Sequence, residues 1–154
     1  MGQGYQIDLN DLRFKYDFQF DPVDETSYQH KVWPEGHVVA GEPITLRDYQ
    51  VEIINKYLGT PHCLQEIATG AGKTLITAAL SNKVEKYGRS IVIVPNKDLV
   101  TQTYADYANL GLDVGVYYGD KKELGHTHTI CTWQSLNSIR TVSYTHLRAH
   151  ETHE

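Results

Sequence analysis

The run Ile67-Ala68-Thr69-Gly70-Ala71-Gly72-Lys73-Thr74 constrains this chain more than any other feature. It stands between a short apolar stretch, Cys63 to Ile67, and a run of helical character from about Gly72 to Lys86. Strand, glycine-bearing turn and helix in that order form the setting of a phosphate loop. From its second glycine onward the run matches the Walker A pattern, with Ile67 where the general pattern has glycine. The small residues let successive backbone N–H groups point into one concavity, and the following helix turns its positive end toward the same place. Thr69, Gly70, Ala71, Gly72, Lys73 and Thr74 are therefore the expected binders of a nucleotide triphosphate, ATP, with Lys73 on the β and γ phosphates. The Thr74 hydroxyl is the expected ligand of Mg²⁺.

The surrounding sequence alternates strands and helices. A helix is expected from Thr45 to Gly59, because Leu46, Tyr49, Ile53, Ile54, Tyr57 and Leu58 recur at helical spacing. Past the loop helix come a β-branched stretch from Ser90 to Val94, a turn at Pro95 and Asn96, and a helix from about Asp98 to Asn109. A third strand is expected at Asp113 to Tyr117, a loop at Gly119 to His126, a fourth strand at Thr129 to Thr132 and a helical turn at Gln134 to Ile139. Such alternation predicts a parallel sheet covered on both faces by right-handed crossovers.

The chain has 154 residues, enough for one domain with a short appendage, and its 40% hydrophobic and 21% charged residues rule out a disordered chain. A formal net charge of -5 argues against a broad basic face, yet helix N-termini and a few loop residues suffice to grip a phosphate backbone. Cys63 and Cys131 lie far apart in apolar stretches, without the spacing of a zinc site, and read as buried thiols in a reducing compartment. No long apolar run or charged-then-apolar leader is seen, so a cytoplasmic protein without membrane insertion is expected.

Both ends depart from this texture. Arg13 to Phe20 alternates polar and aromatic residues, the period-two pattern of a half-buried strand, and Asp21 to Gly41 reads as a connecting segment. Residues 1–43 are thus expected to be the remnant of a small accessory domain and its linker, ahead of an ATP-binding domain at 44–140. From Thr141 to Glu154 the string containing Ser143-Tyr144-Thr145-His146-Leu147-Arg148 resembles translated sequencing-adapter read-through. On that reading 141–154 is a non-native tail, and His146, His150 and His153 are not a metal cluster.

Four segments in order resemble the superfamily-two helicases, in the branch shared by the type III restriction translocases and the UvsW type of phage helicase. Leu46-Arg47-Asp48-Tyr49-Gln50 resembles the Q motif and Ala68 to Thr74 motif I. Val94 to Gln102 resembles motif Ia, and Thr132-Trp133-Gln134-Ser135-Leu136 the DNA-side motif that precedes the acidic box. The resemblance implies a P-loop, RecA-like α/β fold of three α/β/α layers with a mostly parallel sheet, incomplete here and preceded by a β-containing extension. It implies an ATP-dependent DNA helicase or translocase of recombination, repair or replication restart, acting on single-stranded or branched DNA.

Residue by residue, Gln50 would bond the adenine edge, with Arg47 supporting base or ribose. Pro95, Asn96, Lys97, Thr101, Gln102, Thr132 and Gln134 would meet the DNA backbone, whereas Trp133 is also a candidate for the core. Motif II, motif III and the second RecA-like domain are not found in the sequence, so the chain alone is expected to hydrolyse ATP poorly and to fold marginally, with apolar sheet edges exposed. A P-loop nucleotide kinase is the competing enzyme class, disfavoured by the Q motif ahead of the loop. A non-catalytic nucleotide-binding fragment is the third reading.

Overall fold

The computed structural model describes residues 18–138. Its helices are α1 (Asp48–Gly59), α2 (Lys73–Val84) and α3 (Lys97–Asn109), and its strands β1 (Ser90–Val94), β2 (Val114–Tyr118), β3 (Lys121–Lys122) and β4 (His128–Thr132). A 3-10 turn, Glu85–Tyr87, continues α2, and residues 133–138 turn helical after β4. The sheet runs in the order β1-β4-β2-β3. β4 pairs parallel with β1 on one side and β2 on the other, and only the short β3 is antiparallel.

In-register neighbours explain the core. Val92 and Val116 both lie opposite Ile130, so their side chains share one face of the pleat. His128, two residues before Ile130, meets the Tyr107 ring of α3 edge-on, which identifies that face as the one α3 covers. α3 packs on β1, β2 and β4, α2 packs on α3, and α1 packs on α2. Ile54, Ala78, Ala79, Val100, Tyr107 and Ile130 are the fully buried centre of this stack.

A polar chain runs through it. The His128 ring accepts or donates at both nitrogens, to Ser90 Oγ at 2.7 Å and to Glu85 Oε2 at 2.9 Å. The Ser81 hydroxyl meets the Tyr107 hydroxyl, and desolvation raises the Tyr107 phenol to about 12. With its partners supplied, this buried histidine leaves no orphaned polar atom and ties the end of α2 to the central strand.

Several expectations change. Cys63 to Ile67, expected as the strand before the loop, joins no ladder among the described residues, and Leu64 in it is 99% exposed. An apolar run becomes a strand only where another strand meets its N–H and C=O groups, and none does here. Cys63 is consequently exposed, whereas Cys131, in the central strand, is buried and its thiol is pushed up by desolvation.

Helices cover one face of the sheet among the described residues; Ile91 and Ile93, which point the other way, are 62% and 54% exposed. The expected loop at 119–126 contains β3, and Trp133 is exposed rather than core. Of the expected strand at Arg13 to Phe20, residues 13–17 lie outside the described residues, and 18–20 form no strand. Phe18 and Phe20 pack instead against the Tyr87 ring. Ile139, Arg140 and the expected non-native tail at 141–154 also lie outside the described residues.

The segment read as a connector is packed. Val23 exchanges two hydrogen bonds with the Asn55 amide of α1, at 2.8 and 2.9 Å, and the Tyr28 hydroxyl donates to Ala79 O at 3.2 Å. Both side chains are buried in the same core as α1 and α2.

Candidate nucleotide and nucleic-acid sites

The loop before α2 is built on two left-handed glycines, Gly70 with φ of 82° and Gly72 with φ of 75°. The left-handed φ is what requires glycine at 72, and a Cβ there would also stand 2.5 Å from Gln50 Nε2 and displace that amide. The turn is closed by Ala71 N–H donating to Ala68 O at 3.3 Å. No side chain caps α2 and no acidic residue lies in its first turn, so the N–H groups and positive end of a 12-residue helix remain for an anion.

α1 holds this loop from behind. The Tyr49 hydroxyl and Gln50 Nε2 both donate to Ala71 O, each at 3.1 Å. Gln50 Oε1 in turn accepts from the Arg47 backbone N–H at 2.9 Å, closing the start of α1. Gln50, expected to read an adenine edge, is 4% exposed and spends its amide on the loop. The Arg47 guanidinium reaches the Tyr49 hydroxyl at 3.2 Å and stays exposed.

A cavity of about 690 Å³ gathers Arg47, Gln50, Gly70, Gly72 and Thr74. Trp33 and His37, stacked with centroids 4.2 Å apart, form another part of its wall. Thr69 and Lys73 are exposed and are not part of the lining; Lys73 pairs with no carboxylate among the described residues.

The remaining wall comes from α3. Gln102, Ala105, Asp106 and Asn109 recur at helical spacing beside the buried stripe of Val100, Thr103, Tyr107 and Leu110. The Thr74 hydroxyl donates to Asp106 Oδ2. Burial raises the Asp106 carboxyl above its usual range, an effect opposed by that hydrogen bond and by His37. Sequence reasoning missed Tyr49 and Asp106. The stripe on α3 was readable by periodicity, but the helix it would face was not.

A second cavity, of about 500 Å³, lies at the C-terminal ends of β1, β2 and β4. Pro95, Asn96, Lys97, Thr132 and Gln134 line it together. Asn96 caps α3, accepting from Leu99 N–H at 2.9 Å, and Thr132 Oγ1 donates to Ser135 Oγ at 3.1 Å. The sequence had not indicated Tyr117 and Lys122 of the β2–β3 hairpin, whose ammonium sits 5.6 Å from the ring centroid, in this wall.

Thr101 and Gln102 part company from this group. The Thr101 hydroxyl bonds back to Lys97 O at 3.3 Å, and Gln102 faces the phosphate-loop cavity. Thr101 lies one turn farther along the same face of α3 as Lys97, and helical rotation turns Gln102 toward the loop.

A glycine-built loop opening a helix, beside a mostly parallel sheet with a cavity of mixed polar and apolar lining at its strand ends, is the arrangement of a P-loop α/β domain. The family described as type III restriction enzyme, res subunit, matches residues 43–153. The chain belongs to this family, and its fold is that of a RecA-like helicase domain fragment. Among solved structures it is similar to the UvsW helicase from bacteriophage T4, with a TM-score of 0.60 and 17% sequence identity over 77% of this chain. The chain spans about half the length of that protein, 46%. A search of curated proteins finds no match.

Proposed function

We propose that the chain is the ATP-binding portion of an ATP-dependent DNA helicase or translocase that acts in recombination, repair or replication restart, in the cytoplasm. No described helix is long and apolar enough to cross a membrane. The observation that carries the reading is the uncapped start of α2 behind Gly70 and Gly72, gripped by Tyr49 and Gln50, with a separate cavity at the strand ends that Asn96, Lys97, Thr132 and Gln134 help to line. A second RecA-like domain would be its partner in the working motor.

In this reading the loop N–H groups take the phosphate tail of ATP and Lys73, exposed and in no ion pair among the described residues, folds onto the β and γ phosphates. Thr74 would hold Mg²⁺; its hydroxyl and the neighbouring Asp106 carboxylate are hard oxygen donors that suit this ion. When bound, Mg²⁺ neutralises charge on the β and γ oxygens. Arg47, exposed in the cavity wall, would support base or ribose, while Gln50 sets the loop's shape and would have to release Ala71 O or Arg47 N–H to touch adenine. Pro95, Asn96, Lys97, Thr132 and Gln134 would follow a single-stranded or branched DNA backbone with amide, hydroxyl and ammonium donors. Thr101 and Gln102 remain outside that path.

Fluorescence titration with a labelled ATP analogue tests the reading. Lys73→Ala is expected to abolish binding, and undiminished affinity in that variant rejects the assignment. Titration with labelled single-stranded and forked DNA tests the second cavity. DNA binding that is indifferent to Lys97→Ala combined with Gln134→Ala rejects it.

A further inference from the structure

Asp106 stands nine residues beyond the start of α3, in no segment that the phosphate-loop pattern includes, yet its carboxylate touches the Thr74 hydroxyl in the cavity wall. A hydroxyl has one proton and two lone pairs. When its oxygen turns a lone pair to a cation, the proton still needs an acceptor, and a partly buried hydroxyl without one loses a hydrogen bond. Among the described residues Asp106 is the carboxylate within reach of that proton.

We propose that Asp106 is a positioning residue for the Mg²⁺ of bound nucleotide. It accepts the Thr74 proton in a hydrogen bond, fixes the hydroxyl rotor with its lone pairs available to the cation, and adds negative charge at the outer edge of the site. This rests on the reading that the loop binds Mg²⁺-nucleotide. Among the described residues no group of three or more His, Cys, Asp or Glu could hold an ion unaided. Thr74, held by Asp106, would therefore share the cation with phosphate oxygens, in keeping with the reluctance of Mg²⁺ to give up its waters for an all-protein cage.

The test is a titration of methylanthraniloyl-ADP in EDTA and at rising MgCl₂, on the chain, Asp106→Asn, Asp106→Glu, Thr74→Ala and the Asp106→Asn/Thr74→Ala pair. Asparagine keeps an acceptor for Thr74, so the pocket survives while the charge is lost. The Mg²⁺ concentration for half-maximal tightening is expected to rise roughly 10- to 100-fold in Asp106→Asn, with affinity in EDTA within about twofold of the parent. Asp106→Glu should recover part of the Mg²⁺ response, and the double variant should be no worse than Thr74→Ala, because the two groups act as a unit. Electron paramagnetic resonance of Mn²⁺ gives an independent readout, with ion taken up only when ADP is present and more weakly by Asp106→Asn.

An unchanged Mg²⁺ response in Asp106→Asn overturns the proposal. So does an equal loss of affinity in EDTA and in Mg²⁺, which would mean that Asp106 only supports the fold. Failure of the parent chain to bind the nucleotide in either condition sinks the phosphate-loop reading itself and is distinguishable from both.

Discussion

The cavity behind the phosphate loop and the cavity at the strand ends are built on opposite plans. At the loop, polar atoms are tied to one another: Tyr49 and Gln50 to Ala71 O, Gln50 to Arg47 N–H, Thr74 to Asp106. At the strand ends Pro95, Asn96 and Lys97 are exposed, and the internal ties are a helix cap and a short Thr132–Ser135 bond. A compact triphosphate needs several N–H groups held in one geometry, so rigidity is useful there. A backbone that must be gripped and released along its length is served by separate, solvated donors.

The largest effect is expected where the tied region is tightest. Gly72→Ala forces a side chain into left-handed backbone and against Gln50 Nε2, 2.5 Å from the new Cβ. The strain alone costs about 1–3 kcal/mol, and the displaced loop should no longer bind a labelled nucleotide. Urea melts and nucleotide titration check this; a variant that binds as the parent does would show that the loop is less constrained than its contacts imply. Gln50→Ala comes next. It leaves Arg47 N–H and one claim on Ala71 O unmet, a loss of about 1–3 kcal/mol where the groups are shielded from water. Nucleotide affinity should fall while DNA affinity holds. Equal losses in both would dissolve the contrast between the two regions.

How much of this was legible beforehand follows the range of the forces involved. The helices and β1 were readable to within a few residues, since apolar spacing and the turn at Pro95 are local. The mostly parallel sheet followed from the order of elements. Cys63 to Ile67 was misread because a strand is a property of two segments, and sequence pattern sees one. The site divides the same way. Gly70, Gly72, Thr74, Arg47 and Gln50 fall in one cavity, since motif spacing encodes a local loop and its nearest helix. Asp106 and the turning of Gln102 toward the loop depend on how α3 rolls against α2, a packing decision made by Tyr107, Ser81 and Val100 rather than by either motif.

Asn96→Ala probes the open region. The cap it removes is worth about 1 kcal/mol, and loosening the first turn of α3 should weaken DNA binding without touching nucleotide affinity. Hydrogen exchange at Leu99, the amide that Asn96 caps, reports the cause directly.

The smallest effect is expected from Lys97→Ala, and it is the sharpest measure of the difference. Lys97 is exposed and in no ion pair among the described residues, so melting should be unchanged within the usual surface range of about 0.5 kcal/mol. Its proposed work is to displace a counterion from one phosphate. The slope of log affinity for DNA against log salt should then fall by about 1, evenly across sequences. Lys73→Ala, at an exposed lysine of the phosphate loop, should leave that slope alone while eliminating nucleotide binding. Were the two lysines to exchange these phenotypes, the nucleotide and the nucleic acid would have to be assigned to the opposite cavities.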